Sequence, residues 1–194
     1  MSAPRTHKLR MTVPEFLVWS GRQPDDRYEL VDGEVVAMTR DTVAHNRSKA
    51  AAWRALDDAV RKKNLPCIVL IDGLAVKITE KTLRIPDVVV QCEAEPAPDA
   101  LILESPLIAV DVVSPSSERD DTETKLVEYF SSASIRHYLV ILAEKEAVVH
   151  HRRDDTGDIA TRIAYEGNIV LDPPGMTVPV AALLAVSGKA ESVQ

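Results

Sequence analysis

The 194-residue chain has 45% hydrophobic and 27% charged residues and a formal net charge of −7. This length suits one globular domain with its own core, and the acidic balance argues against a protein that coats nucleic acid regardless of sequence. No apolar run reaches the ~18 residues of a membrane span, and no apolar stretch follows the basic N-terminus as in a signal peptide. We expect a soluble cytoplasmic protein with a single domain over 11–187, a flexible N-terminus over 1–10 and a flexible tail over 188–194.

The first half of the chain carries clear helix and hairpin signals. Thr12 followed by Glu15 has the capping-box spacing of a helix start, and Asp32-Gly33 between two apolar runs is typical of a tight hairpin turn. The predicted elements are a helix over 14–20, strands over 28–31 and 34–38, and a basic helix over 43–63.

The second half predicts most of a sheet and one further long helix. The predicted strands cover 67–71, 75–78, 83–90, 107–113, 137–142, 147–151, 159–165 and 169–171. A helix is predicted over 119–132, after the Ser/Pro turn at 114–117, and a short apolar helix near the C-terminus. This pattern favours a mixed α/β (α+β) fold with a central mixed sheet flanked by helices.

Two acidic residues stand in strongly apolar surroundings. Asp87 follows Pro86 and precedes three valines, and Asp111 lies within the sequence LIAVDVV. A buried, isolated carboxylate is costly, so each needs a cation or hydrogen-bond donors. Each acid alone could cap a helix or pair with a buried Arg or Lys, but two acids near the ends of separate strands favour a shared cation.

Oxygen ligands of this kind suit Mg²⁺, which takes one or two carboxylates and keeps several waters. Mn²⁺ would be able to substitute for it. Because the chain lacks the His and Cys spacing of a zinc site, a zinc hydrolase is disfavoured. The cysteines, Cys67 and Cys92, form no CxxC motif, and we interpret them as reduced thiols in or near the core.

Asp121, Lys125 and Tyr129 follow one another at four-residue spacing and share one face of the predicted helix. The Asp–Lys pair at this spacing is a common surface ion pair. Alternatively, Lys125 turns back toward the strand end that carries Asp111, where its ammonium group would orient a water or offset charge on a phosphate.

The helix over 43–63 is rich in basic residues. The candidates for contacts with the DNA backbone are Arg47, Lys49, Arg54 and Arg61. The simpler interpretation is a solvated helix face without a ligand.

Four blocks of the sequence occur in one order: RYELVDGEVV, RIPDVVV, VDVVSPSS and the D-x-x-x-K-x-x-x-Y of Asp121, Lys125 and Tyr129. Together they resemble the putative restriction endonuclease family of bacterial proteins, abundant in cyanobacteria, within the PD-(D/E)xK nuclease superfamily. The resemblance implies a restriction-endonuclease-like core, often a homodimer, and a Mg²⁺-dependent hydrolase that cleaves DNA phosphodiester bonds.

The resemblance also implies roles for particular residues. Asp87 is the acid of the PD element, Asp111 occupies the (D/E) position at which this family more often has glutamate, and Lys125 supplies the lysine from the following helix. Glu34 and His45 also fall at recurrent family positions. Glu34 is a candidate third metal ligand, and the residues expected to support the metal ligands are His45, Asp121 and Tyr129.

Three functions remain open from the sequence. A metal-dependent endonuclease is favoured by the acid pair and the lysine. A non-catalytic module of the same fold, acting in DNA binding or as an oligomeric scaffold, is kept open by the shorter aspartate at 111 and the negative charge. A phosphohydrolase of smaller substrates is the third alternative.

Overall fold

The computed structural model describes residues 10–23, 27–92, 95–113 and 120–184, without the side chains of residues 120–122. The predicted flexible ends therefore lie almost wholly outside the described residues. The Ser/Pro turn and the side chain of Asp121 lie outside them as well.

The described residues form four α-helices and thirteen strands. The helices are α1 (Val13–Ser20), α2 (Val43–Lys63), α3 (Asp120–Ser131) and α4 (Val180–Leu184), with a short 3-10 turn at Ala143–Lys145. The strands are β1 (Tyr28–Val31), β2 (Glu34–Ala37), β3 (Cys67–Ile71), β4 (Ala75–Thr79), β5 (Thr82–Arg84), β6 (Val88–Cys92), β7 (Ile102–Leu103), β8 (Pro106–Val112), β9 (His137–Leu142), β10 (Ala147–Arg153), β11 (Ile159–Ala164), β12 (Asn168–Leu171) and β13 (Met176–Pro179).

The central sheet has six strands in the order β11-β10-β9-β8-β6-β3, and it is mixed because β8 and β9 run parallel while their neighbours pair antiparallel. A second sheet has the order β2-β1-β5-β4-β7, and β12 pairs with β13. The predicted α/β class, with a central mixed sheet, an N-terminal helix and a hairpin, is confirmed. The division of the remaining strands into further sheets was not predicted.

Local signals in the sequence explain the N-terminal elements. The backbone N–H of Thr12 donates to the Glu15 carboxylate at 2.8 Å, which is half of a capping box at the start of α1. The β1–β2 turn places Asp32 at φ 46° and Gly33 at φ 82°. Positive φ at both positions is what a two-residue hairpin of type I′ requires, and glycine adopts it without strain.

The unit that positions the acidic strand is β8-α3-β9. Parallel strands cannot be joined by a tight turn, so the chain crosses over through α3. The ring of Tyr129 on α3 packs against Tyr138 of β9 on the same face as Asp111, with ring centroids 4.9 Å apart. On the opposite face, α2 contributes Ala52, Leu56 and other apolar residues to a larger core.

The predicted strand over 83–90 is wrong as one element. The structure divides it into β5, in the hairpin-containing sheet, and β6, in the central sheet. Pro86 lies between them, and proline cannot donate to a strand ladder. As a result, Asp87 stands where the chain passes from one sheet to the other.

The prediction of two reduced thiols is also wrong. Cys67 and Cys92 are bonded as a disulfide. They are directly opposite each other in the antiparallel β3–β6 ladder, and such register partners lie close enough for their side chains to meet. The register of two strands far apart in sequence could not be predicted from the sequence.

Two histidines on neighbouring strands of the central sheet, β9 and β10, are hydrogen-bonded to each other. His137 and His150 join through Nδ1 and Nε2 at 2.9 Å, and His137 Nε2 lies 2.9 Å from the Pro173 carbonyl oxygen. The carbonyl only accepts, so His137 donates to it from Nε2 and accepts at Nδ1 from His150. Burial lowers the pKa of His137 to about 4 and that of His150 to about 3, so both rings are neutral at pH 7.

Among the described residues, no helix is both long enough and apolar enough to cross a lipid bilayer.

Candidate active site

A cavity of about 280 Å³ opens where the carboxyl end of β8 meets the β1–β2 hairpin. Its walls come from both larger sheets and from α2 and α3. The charged and hydroxyl-bearing side chains on these walls are Arg27, Glu29, Thr39, Asp41, His45, Arg84, Asp87, Asp111, Lys125 and Tyr138. The cavity therefore gathers residues that are separated by up to 111 positions in the chain, from Arg27 to Tyr138.

Asp111 lines this cavity and is buried, with a residue exposure of 5%. The Tyr138 hydroxyl donates to Asp111 Oδ2 at 2.9 Å, and Lys125 Nζ lies 3.5 Å from the same oxygen. Burial raises the pKa of Asp111 to about 6, the Lys125 charge opposes this shift and the Asp87 charge adds to it.

Asp87 is fixed against the strand that carries Asp111. Its Oδ2 accepts a hydrogen bond of 2.7 Å from the backbone N–H of Val112. Its Oδ1 lies 3.3 Å from His45 Nε2 and 3.7 Å from Lys49 Nζ. One carboxylate oxygen therefore holds Asp87 beside β8, and the other belongs to a cluster of charged groups.

Behind Asp87 lies a buried ammonium group. Lys49 is 1% exposed, pairs with Asp41 and lies 2.9 Å from Asp72 Oδ2. Arg27 forms a second ion pair with Asp72. Burial lowers the pKa of Lys49, but the hydrogen bonds that it donates to Asp41 and Asp72, together with the charges of Asp87 and Asp72, more than offset this and raise the pKa overall. This cation balances the acids on that side of the cavity.

We expect the Lys49→Met variant to lose about 3 kcal/mol of unfolding free energy, because removing one member of a buried ion pair leaves the others uncompensated. Chemical denaturation at pH 7 measures this loss. Arg47→Met, two positions earlier on the exposed face of α2, is the matched control and should change stability by less than about 0.5 kcal/mol. Equal stability of the two variants would show that Lys49 does not hold the acids together.

A second buried network lies on the other side of the cavity. Arg84 donates from its NH1 nitrogen to Glu29 at 2.8 Å and from Nε to Glu128 of α3 at 2.6 Å. The second Glu29 oxygen accepts from the backbone N–H of Ile85 at 2.9 Å. The paired carboxylates raise the pKa of Arg84 despite its burial, so the guanidinium is permanently charged.

The structure brings together Asp87, Asp111, Lys125 and His45. A hydrogen bond to Asp87 raises the pKa of His45, burial opposes the shift, and the charges of Asp87 and Asp41 add to it. Glu34 does not line the cavity: it is at the turn end of β2, whereas the cavity is lined by Val36 and Ala37 at the far end.

Tyr129 is fully buried next to Tyr138 and does not line the cavity. Burial raises the pKa of its hydroxyl, which has no hydrogen-bond partner in the part of the chain that the structure describes. Tyr129 therefore packs under the site.

The basic side chains of α2 lie in two different surroundings, some exposed and one buried. Arg47, Arg54 and Arg61 are exposed on α2, and Arg61 pairs with Asp57 at 2.6 Å. The predicted role of Lys49 in DNA contact is corrected, because its buried ammonium group is surrounded by aspartates.

The carboxylates of Asp87 and Asp111 fit a hard divalent ion that takes few ligands from the protein. In the described ranges, no three His, Cys, Asp or Glu side chains are arranged to hold a metal by themselves. Mg²⁺ commonly needs only one or two carboxylates and keeps its waters. Asp87 and Asp111 provide that number in a cavity with room for water and a phosphate.

Sequence reasoning missed Glu29 and Arg84, although both have the signal that identified Asp87. Each is a charged residue within a short apolar strand, Glu29 before Leu30 and Arg84 after Leu83. The same criterion, applied to every strand, would have included them. No comparable signal marked Asp72, which follows β3 in a turn with a positive φ of 55°.

Comparisons with known proteins agree with this architecture. An uncharacterized protein of Synechocystis sp. is 26% identical to the chain over 159 residues, which is 77% of each protein. The crystal structure of a putative nuclease belonging to DUF820, from Anabaena variabilis, superposes with a TM-score of 0.71 at 14% identity. The superposition covers 90% of this chain and 97% of that one, so the two share a fold.

The sequence profile of the Uma2 family, described as "Putative restriction endonuclease", matches residues 13–184. This range includes every element that lines the cavity, from the β1–β2 hairpin to β9. The chain therefore belongs to the Uma2 family of putative restriction endonucleases.

Proposed function

We propose that this protein is a divalent-metal-dependent endonuclease that hydrolyses phosphodiester bonds of DNA. The observation that carries the proposal is the meeting of Asp87, Asp111 and Lys125 in one cavity, although they come from three different parts of the fold. Membership in a family of putative restriction endonucleases supports DNA as the substrate.

Asp87 and Asp111 would hold Mg²⁺, or Mn²⁺ in its place. When bound, such an ion polarises a phosphoryl oxygen and lowers the pKa of a coordinated water. The protein's own contribution is orientation. The Val112 N–H fixes one oxygen of Asp87, and the Tyr138 hydroxyl fixes one oxygen of Asp111.

Lys125 supplies a positive charge that does not depend on the ion. Its ammonium group, 3.5 Å from Asp111, lines the cavity in which a phosphate would lie. A preorganised cation of this kind stabilises negative charge that grows on the phosphate during the reaction. Exposed Arg47 and Arg54 on α2 would add weaker, salt-dependent contacts to the DNA backbone. A homodimer remains a prediction.

The test is cleavage of supercoiled plasmid with Mg²⁺ or Mn²⁺. We expect the wild type to nick the plasmid, Asp87→Ala to be inactive, and Lys125→Ala to be slower by about 100-fold, the typical effect of one positioned electrostatic group. Chelation should stop the wild-type reaction. Equal cleavage by all three proteins would reveal a contaminating nuclease and would overturn the assignment.

One observation favours a second candidate, a non-catalytic module of the same fold. Both oxygens of Asp87 already face protein donors, the Val112 N–H on one side and His45 with Lys49 on the other. Calorimetric titration separates the two functions. Binding of Mn²⁺ that is abolished in Asp87→Ala supports the nuclease, whereas no heat at millimolar Mn²⁺ supports the module.

A further inference from the structure

The placement of Lys125 depends on how α3 docks. Arg153 donates to the Phe130 carbonyl near the end of this helix, and Glu128, closer to Lys125 in the sequence, pairs with Arg84. Leu126 and Phe130 pack against the core beside the central sheet, but apolar packing alone leaves a helix free to slide and rotate. The Glu128 carboxylate, one turn after Lys125, adds a directional contact with Arg84. Its side chain is 17% exposed and that of Arg84 is 5% exposed, so this ion pair is largely shielded from water.

These contacts close into a ring around the cavity. Arg84 is three residues before Asp87 in the chain, and Asp87 accepts a hydrogen bond from Val112, next to Asp111. Asp111 faces Lys125, and Lys125 is on the same helix as Glu128, which returns to Arg84. A displacement of α3 that moves Lys125 therefore also strains the Arg84–Glu128 pair.

Glu29 makes the guanidinium a rigid anchor. It accepts from the Arg84 NH1 nitrogen while its other oxygen accepts from the backbone of Ile85. The contact with Glu29 therefore holds Arg84 in place independently of α3. Charge-assisted hydrogen bonds of this kind are short, directional and stronger than neutral ones.

We propose that Glu128 and Arg84 are positioning residues that fix α3 so that the Lys125 ammonium group faces Asp111 and the reacting phosphate. The catalytic part of this inference rests on the proposed nuclease function, whereas the placement of Lys125 by the ion pair does not. Neither residue needs to touch substrate. Their effect passes through the position of Lys125.

The placement is tested by chemical labelling of Lys125 with limiting acetic anhydride, quantified by peptide mass spectrometry. We expect Glu128→Ala to raise the labelling rate of Lys125 several-fold over wild type, because the helix loses its anchor. Glu128→Gln keeps an oxygen that accepts from Arg84 and should give an intermediate rate. Glu123→Ala, an exposed acid on the same helix, is the control and should label like wild type.

The catalytic part is tested by a double-mutant cycle in plasmid cleavage. A misplacement of about 1 Å can cost about 100-fold in rate, so we expect Glu128→Ala to lower kcat by 10- to about 100-fold with little change in KM. In a Lys125→Met background, the same change should cause no further loss. Thermal unfolding checks that each variant is folded, and Glu128→Gln carries the test if Glu128→Ala is not.

Different results would contradict the positioning of Lys125 by Glu128 and the catalytic role of Lys125. Unchanged Lys125 labelling in both Glu128 variants would overturn the positioning role. A further loss of kcat in the Lys125→Met background would also overturn it, because Glu128 would then act independently of the lysine. Full activity of Lys125→Met itself would instead contradict the proposed role of Lys125 in the nuclease, while the labelling result would still decide the placement.

Discussion

Replacing Asp111 with asparagine should abolish metal-dependent cleavage and, at the same time, stabilise the metal-free protein at pH 8. Burial raises the pKa of Asp111 from 3.8 to about 6. The folded state therefore binds this proton more tightly than the unfolded chain, which is the reverse of an ordinary surface carboxylate. The difference of 6 − 3.8 = 2.2 corresponds to about 3 kcal/mol at pH values above the folded pKa.

The raised pKa of Asp111 changes the stability of the protein over a defined pH range. The stability contributed by protonated Asp111 is present below pH 3.8 and is lost as the pH rises toward about 6. Asparagine is neutral throughout, so the variant should melt about 6–12 °C above wild type at pH 8 in EDTA and close to it near pH 4. A single kcal/mol shifts the Tm of a domain of this size by about 2–4 °C.

Asp58→Asn, an exposed acid on α2, is the control and should leave the Tm unchanged. Added Mn²⁺ should raise the Tm of wild type but not of Asp111→Asn, since a ligand stabilises only the form that binds it. A lower Tm for Asp111→Asn in EDTA at pH 8 would show that the contacts of the carboxylate with Lys125 and Tyr138 outweigh its burial.

The second large effect is acid destabilisation by the histidine pair. The pKa values of His137 and His150 fall to about 4 and about 3, because burial disfavours their charged forms. The unfolded chain binds protons near pH 6.5, whereas the folded protein does not. Stability is therefore fully present above pH 6.5 and is lost as the pH falls. At pH 5, each histidine lowers the free energy of unfolding by about 2 kcal/mol, and the pair lowers it by about 4 kcal/mol.

Denaturation curves at pH 7 and pH 5 measure this loss. His150→Gln removes one titrating ring, so the variant should lose about 2 kcal/mol less than wild type between the two pH values. Its absolute stability at pH 7 can differ, because the ring also packs in the core, but the pH dependence isolates the titration. The same pH dependence in both proteins would contradict the neutral hydrogen-bonded pair.

Much of the fold was predictable because its signals are local. The Asp32-Gly33 turn and the Thr12–Glu15 box act over a few residues, and both are present in the structure. The separation of β5 from β6 was missed because apolar residues recur on both sides of Pro86, from Leu83 to Val90. In this stretch only Pro86 indicated the break.

The site was partly predictable for the same reason. Asp87 and Asp111 contrast with their apolar neighbours, and this contrast is visible without knowing the fold. Lys49 was misassigned, because a basic residue on a charged helix usually faces solvent. Its partner Asp72 is 23 positions away in the chain, and only tertiary packing brings the two together. Long-range pairings of this kind leave no periodic pattern.

The passage of the chain between the two sheets at residues 84–87 couples the positions of the two walls of the cavity. Arg84 ends a strand of the hairpin-containing sheet, and Asp87 directly precedes a strand of the central sheet. The two walls of the cavity are thus joined by a covalent bridge of two residues. Because only two residues separate Arg84 from Asp87, a shift of one sheet relative to the other also moves Asp87. We therefore expect substitutions in the hairpin, which shares the cavity with both aspartates, to change the spacing between the acids.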